Sequence, residues 1–254
     1  AGRIRLKALG WLLSRADRLV AVSNDARENH LRWLPSLRSR SDTVVTIPNG
    51  IDAGRFRTIQ PSARGTLRHR VGVGADACVM GFLGRFMEQK GFLVLARAMA
   101  KVLGEGTARP IHLVALGSGD YVREYRAEVA RRPELAARIT FLEHTSDTPA
   151  VLHGLDLLVM PSLWEACPLL PMEAMCAGIP VLGSDCIGLR EVLAGSPSMV
   201  VPAGDDHALA DAIRKAVASP WKDRAVGYAP AACRRFDVRG SARSLAELFG
   251  QFMS

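Results

Sequence analysis

The sequence predicts an α/β domain built on a doubly wound, mostly parallel sheet. Three observations carry that prediction. Short apolar runs without polar alternation recur along the chain, which is the pattern of strands buried on both faces. Longer helical patterns separate these runs. Glycines and other turn residues stand directly after them. Six strand–helix units fall between residues 79 and 218, which is the architecture of a Rossmann-like sheet.

Taken in order, the first segment interleaves Arg3, Arg5, Lys7, Arg15 and Arg18 with Ile4, Leu6, Leu9, Trp11, Leu12 and Leu13. Arg5 and Lys7 interrupt the apolar run, so it does not read as a secretory signal. A helix lying on an anionic membrane surface fits this pattern. A helix packed on its own domain with a solvated basic face fits it equally. Strands follow at 19–22 (LVAV) and 44–47 (VVTI). IPNGID, residues 47–52, is rich in turn residues and reads as a joint. One helix, one strand and a second helix upstream of it are too little for a core, so they read as the end of a preceding domain. The stretch 55–76, rich in Arg, Gly and Ser, is expected to be a surface loop.

The main sheet is then predicted from strands at 79–83, 111–116, 139–142, 156–160, 180–182 and 199–201. Helices are expected at 90–103, 120–131, 148–153, 169–177, 188–194 and 206–218. The tail 241–252 (SARSLAELFGQF) reads as an amphipathic helix packing back across the joint. The resulting division is 1–46, a remnant of a preceding domain; 47–235, the Rossmann-like domain; and 236–254, the returning helix.

Composition narrows the functional classes. With 48% hydrophobic and 23% charged residues the chain is globular rather than disordered. No apolar run approaches the roughly 20 residues needed to cross a bilayer. The formal charge of +8 favours polyanionic partners. No zinc-finger, basic-zipper or RNA-module signature accompanies it, so nucleic acid is not an expected partner. Five scattered cysteines without a CxxC pair read as reduced thiols of a cytosolic protein, with no metal site.

Ligands of open parallel sheets bind at the carboxyl ends of the strands. Gly84, Arg85 and Lys90 follow the first strand of the sheet, and Gly117 and Gly119 follow the second. Arg85 and Lys90 bracket a helix start, which suits a phosphate or diphosphate; two solvated surface charges would give the same pattern. The glycine pair lacks the third glycine of a dinucleotide fingerprint and is equally a plain strand-to-helix turn. LWEACPLLPMEAMCAG, residues 163–178, places two acids in an apolar segment. Pro168 and Pro171 put the helix start near 168–171, and Gly178 is a natural stop. Glu165 then lies in the loop before the helix and Glu173 in its first turn. Carboxylates at that edge can accept hydrogen bonds from sugar hydroxyls; helix-dipole stabilisation is the alternative for Glu173.

Four motifs in order make the chain resemble the C-terminal half of the retaining glycosyltransferases of family 4, which have the two-domain GT-B fold. They are ADRLVAVSNDARENHL (16–31), IPNGIDAGRF (47–56), GFLGRFMEQKG (81–91) and EACPLLPMEAMCAGIPVLGSD (165–185). The resemblance implies that Arg85 and Lys90 hold the donor diphosphate, that Glu165 contacts the transferred sugar, and that Glu173 grips the ribose diol. It brings the amides of Ala166, Cys167, Leu169 and Leu170 near the sugar and phosphates. Pro168 stands where many members carry glycine, and it has no N–H to offer.

The implied reaction moves a sugar from a UDP- or GDP-sugar to an acceptor hydroxyl with retention and without cofactor or metal. A glycan or lipid-linked acceptor is the expected partner, in cell-surface glycan, lipopolysaccharide or glycolipid synthesis. The expected place is the cytoplasm, with peripheral contact at the membrane's inner face. The acceptor-binding domain is expected to be missing from this chain. A GT-B sugar-nucleotide epimerase and a truncated, non-catalytic binding module are the alternatives; an NAD enzyme is disfavoured for want of GxGxxG after the first strand.

Overall fold

A computed structural model describes residues 2–57 and 62–251, with side chains from residue 8 onward. The chain begins with α1 (Gly2–Leu13), β1 (Leu19–Ala21), α2 (Asn24–Trp33), a 3-10 stretch (Pro35–Thr43) and β2 (Val44–Thr46). β1 and β2 form a small parallel pair. The side chains of Arg3, Arg5 and Lys7 lie outside the described residues; of the rest of that helix, Trp11 and Leu12 are exposed.

The main sheet contains β3 (Cys78–Leu83), β4 (Ile111–Leu116), β5 (Ile139–Leu142), β6 (Leu157–Met160), β7 (Val181–Ser184) and β8 (Met199–Val201). Their order is β5-β4-β3-β6-β7-β8, and every pairing is parallel. Strand order reverses between β3 and β6, so that is the switch point where a crevice opens beyond the carboxyl ends.

Alternation along β3 shows why both faces need helices. Met80 and Phe82 pack into one core with Leu113, Val159 and Leu182. Val79 packs into a second core with Val114, Leu158 and Val181. Side chains of successive residues leave opposite faces of a strand, so an unbroken apolar strand needs cover on both sides. The first face is covered by α5 (Phe92–Glu105), α6 (Val122–Ala130), α7 (Pro133–Ala136) and α11 (Asp206–Ala218). The second is covered by α4 (Ala63–Val71), α8 (Thr148–Gly154), α9 (Leu170–Cys176), α10 (Leu189–Leu193) and α12 (Trp221–Arg235). Each large apolar side chain buried in these layers contributes about 1.5–3 kcal/mol.

Two segments depart from the sequence-based expectation. The stretch 55–76 is not a loop: it carries α3 (Gly54–Arg57) and then α4, with residues 58–61 outside the described residues. Ala63 and Leu67 of α4 are buried, and Gly72, at φ 68°, ends it in the left-handed conformation. Its arginines suggest solvent, yet Arg68 is buried because it pairs with Asp156 at the start of β6. The helix α12 has no counterpart in the sequence reading. Gly227 and Pro230 interrupt its pattern, but Trp221, Ala225 and Ala232 are buried along one side.

The final helix, α13 (Val238–Gly250), starts three residues before the predicted position; residue 252 lies outside the described residues. Asp237 caps it by accepting from the Arg239 N–H. At the joint, Ile51 N–H donates to Phe236 O at 2.8 Å and Val238 N–H donates to Ile51 O at 2.9 Å. The two chain passages are thus zipped side by side. All five cysteines are free thiols, four of them buried. Among the described residues no helix is long and apolar enough to cross a membrane.

Candidate functional site

At the switch point lies a pocket of about 260 Å³. Gly84, Arg85 and Lys90 line it from the β3 side, and Glu165, Pro168, Leu169, Leu170 and Glu173 from the β6 side. Each group has a local reason to be there. Phe86 is fully buried against Phe82, Phe92, Tyr125 and Phe141, with ring centroids about 5.8–6.1 Å away. That anchor holds the loop after β3 and leaves neighbouring Arg85 exposed at the pocket. Leu163 N–H donates to Gln89 O at 2.7 Å, which ties the β3 loop to the β6 loop.

Lys90 and Glu165 form the centre. Lys90 Nζ lies 2.6 Å from Glu165 Oε1 and 2.9 Å from Oε2. Ser162 Oγ–H donates to the same Oε1 at 2.8 Å. The Glu165 side chain is 8% exposed, so its charge depends on these donors. An ammonium carries three N–H donors; with two directed at Glu165, one is left for a further anion. The backbone of the Glu165 loop is itself held: Glu165 N–H donates to Ile187 O at 3.2 Å. Gly188, at φ 75°, packs so tightly on this loop that a Cβ there would meet the Glu165 carbonyl oxygen at 2.6 Å.

Glu173 sits in the first turn of α9, half-buried, behind Pro171. Burial pushes its carboxyl pKa up, and Arg55 on α3 partly opposes that. The pocket therefore carries Arg85 and Lys90 against Glu165 and Glu173. A dianion there meets two cations, and hydroxyl-rich ligands meet two carboxylate acceptors.

The remaining sequence-predicted residues lie outside the pocket lining. Gly117 and Gly119, at φ 149° and 151°, pack against the backbone of the β3 loop. A Cβ at Gly117 would collide with Gly84 O, and one at Gly119 would meet Phe86 N at 2.7 Å. Their position shapes the loop that carries Arg85. The Ala166 carbonyl accepts from Ser23 Oγ at 2.7 Å, and the Cys167 carbonyl accepts from Asn49 Nδ2 at 3.1 Å. Ala166 thus ties the glutamate loop to the start of α2, and Cys167 ties it to the joint.

Several further residues contribute to the site. His144 and Thr145 enter the pocket from the loop after β5, and Thr148 from the start of α8. Ser162 is recognisable only as the residue three before Glu165. A clamp from the N-terminal segment adjoins the site. Glu191 accepts from Asn24 N–H at 3.0 Å and Asp25 N–H at 2.9 Å. Asp25 accepts from Arg190 at 2.6 and 2.9 Å and from Gly188 N–H at 2.9 Å. Hydrogen bonding from Arg190 holds the Asp25 carboxyl below its usual range, against a smaller opposing effect of burial.

Comparison with known proteins agrees with this fold. Residues 77–219 match the model of the family described as glycosyl transferases group 1. A 2-deoxystreptamine N-acetyl-D-glucosaminyltransferase of Streptomyces fradiae is 32% identical over 227 residues, covering 87% of this chain and 52% of that protein. A UDP-Gal:alpha-D-GlcNAc-diphosphoundecaprenol alpha-1,3-galactosyltransferase of Escherichia coli is 27% identical over 173 residues, covering 67% of this chain and 43% of that protein. The crystal structure of Anabaena HepE in complex with UDP and glucose superposes with a TM-score of 0.84 at 25% identity, covering 97% of this chain and 66% of that one. The chain thus spans about half the length of these two relatives.

Proposed function

The chain belongs to the glycosyl transferases group 1 family, and from that membership we propose that it is the donor-binding part of a retaining glycosyltransferase. One observation carries the reading: Arg85, Lys90, Glu165 and Glu173 converge on a single pocket at the switch point of a GT-B-type sheet. Arg85 and the remaining Lys90 N–H take the donor diphosphate, where developing negative charge needs fixed cations. Glu173 accepts from the ribose diol. Glu165, oriented by Lys90 and Ser162, accepts from hydroxyls of the transferred sugar. His144, Thr145 and Thr148, which line the same pocket, meet the base in this reading.

A UDP-sugar is the donor this reading favours, supported by the UDP held in the HepE structure at 25% identity. A lipid-linked or glycan acceptor is supported by the diphosphoundecaprenol named for the E. coli relative. In this reading residues 1–46 belong to the acceptor side and residues 236–254 return across the joint, with the enzyme working in the cytoplasm.

Calorimetric titration of UDP and GDP against wild type, Lys90→Ala and Glu173→Ala tests the proposal. Wild type is expected to bind UDP, with both variants weakened at least about tenfold, the loss expected for a hydrogen bond to a charged group. If neither nucleotide binds, or both variants bind as wild type does, the assignment fails.

A further inference from the structure

A second cavity of about 260 Å³ lies at the opposite end of the same two central strands. It opens where β3 and β6 begin, at Cys78 and Leu157, and not where they end. Asp156, 4% exposed at its side chain, is the carboxylate there. It accepts from Val79 N–H at 2.9 Å and pairs with Arg64 at 2.7 Å and with buried Arg68. Lys222 Nζ stands 3.9 Å from it.

Arg109 also lines the cavity. Among the described residues its buried Nε–H has no hydrogen-bond partner. Arg64, Arg109 and Lys222 line the cavity and Arg68 pairs with Asp156 beside it, so among the described residues four cations gather around one carboxylate, a formal surplus of three. Burial holds the Lys222 ammonium below its usual range, and Arg64, Arg68 and Arg109 add to that against the pull of Asp156. Like charges gathered around one carboxylate repel one another, and an anion that joins them relieves this; Arg64 and Lys222, 39% and 40% exposed at their side chains, leave the cavity open to such an anion. The cavity also receives the start of α12, whose N-cap, Pro220, supplies no side-chain acceptor for the first-turn N–H groups.

We propose that this cavity binds a phosphate-class dianion, either inorganic phosphate or the phosphate of a small monoester. Arg109 and Lys222 are its principal ligands, with Arg64 sharing its charge between the dianion and Asp156. Guanidinium groups suit phosphate oxygens because their N–H fork is planar and fixed. The site is separate from the pocket that holds Arg85 and Lys90, and it does not depend on the donor reading of that pocket.

The test is thermal melting of the full chain in a zwitterionic buffer, with chloride adjusting ionic strength. Inorganic phosphate and glycerol 3-phosphate are the two probes. A ligand that binds only the folded state raises Tm. Wild type and Arg85→Gln are expected to rise alike with a probe. Arg109→Gln and Lys222→Gln are expected to need at least about tenfold more of it for the same rise. Whichever probe acts at lower concentration identifies the source of the phosphate group. Arg109→Gln guards against misfolding, since its Nε–H makes no bond among the described residues. The proposal is overturned if phosphate stabilises the Arg109 and Lys222 variants as it does wild type. It is overturned equally if chloride raises Tm as much, or if only Arg85→Gln loses the response.

Discussion

Replacing Lys90 by methionine probes the centre of the pocket. The substitution keeps most of the apolar stem and removes the ammonium that contacts both Glu165 oxygens at 2.6 and 2.9 Å. Glu165 is then a carboxylate 8% exposed that still accepts from Ser162 Oγ–H at 2.8 Å. Breaking a fully buried pair costs about 3–5 kcal/mol, and losing a surface pair costs about 0–1 kcal/mol. Lys90 is 22% exposed, so the expected loss lies between these, at about 2–3 kcal/mol. For a domain of this size that is a fall in Tm of roughly 4–12 °C. The double variant Lys90→Met/Glu165→Gln removes the stranded charge as well and is expected to recover more than half of the loss. Urea unfolding of wild type, both single variants and the double variant completes the cycle. A Lys90→Met protein as stable as wild type, or a double variant no more stable than Lys90→Met, refutes the account of Glu165 as a charge held by its partner.

Three further outcomes follow from the same geometry. Burial raises the Glu173 pKa above its ordinary 4.5, so the folded chain keeps that proton longer than the unfolded one. Stability is therefore lost as pH rises through 4.5 toward the folded value. Glu173→Gln is expected to flatten that decline in urea unfolding between pH 4 and 7 while weakening UDP; an unchanged pH slope would refute the burial argument. The Asp25 carboxyl is held below its ordinary 3.8, so its contribution is present above that pH and lost as pH falls below it. The stability gap between wild type and Asp25→Asn is expected to close in acid, and a gap independent of pH would count against the clamp. Gly117→Ala forces a Cβ onto the Gly84 carbonyl at φ 149°. It is expected to cost about 1–3 kcal/mol and to weaken nucleotide binding through the Arg85 loop; a variant melting and binding as wild type would show that the loop yields freely.

Much of the fold was legible because its strands are short apolar runs with no competing pattern. LVAV, IHLVAL and ITFL sit in the predicted order and nearly the predicted bounds. Helices failed where composition speaks against solvent-free packing. Arg68 looks solvated until Asp156, 88 residues away, supplies its partner. Pro230 argues against α12 until the buried side of that helix is seen. In the site, the spacing of Glu165 and Glu173 about two prolines marked the β6 side. The Lys90–Glu165 pair, the hydroxyl of Ser162 and the clamp through Asp25 are contacts between distant segments, and no local pattern encodes them.

The order of the strands also governs when the molecule becomes competent. β3 is the sheet's first strand in the chain, yet one of its neighbours is β6, and Val79 waits for Asp156 across 77 residues. Arg85 and Lys90 depend on the first of these strands, Glu165 and Glu173 on the second. Contacts between such distant segments form slowly, because a long loop must close before they reward it. A ribosome that has delivered β3, β4 and β5 has made half a sheet with an unpaired inner edge and only the cationic side of the pocket. On the proposed reading, nucleotide binding reports the closing of the central seam: in refolding, fluorescence of a bound nucleotide analogue is expected to lag the recovery of helical circular dichroism.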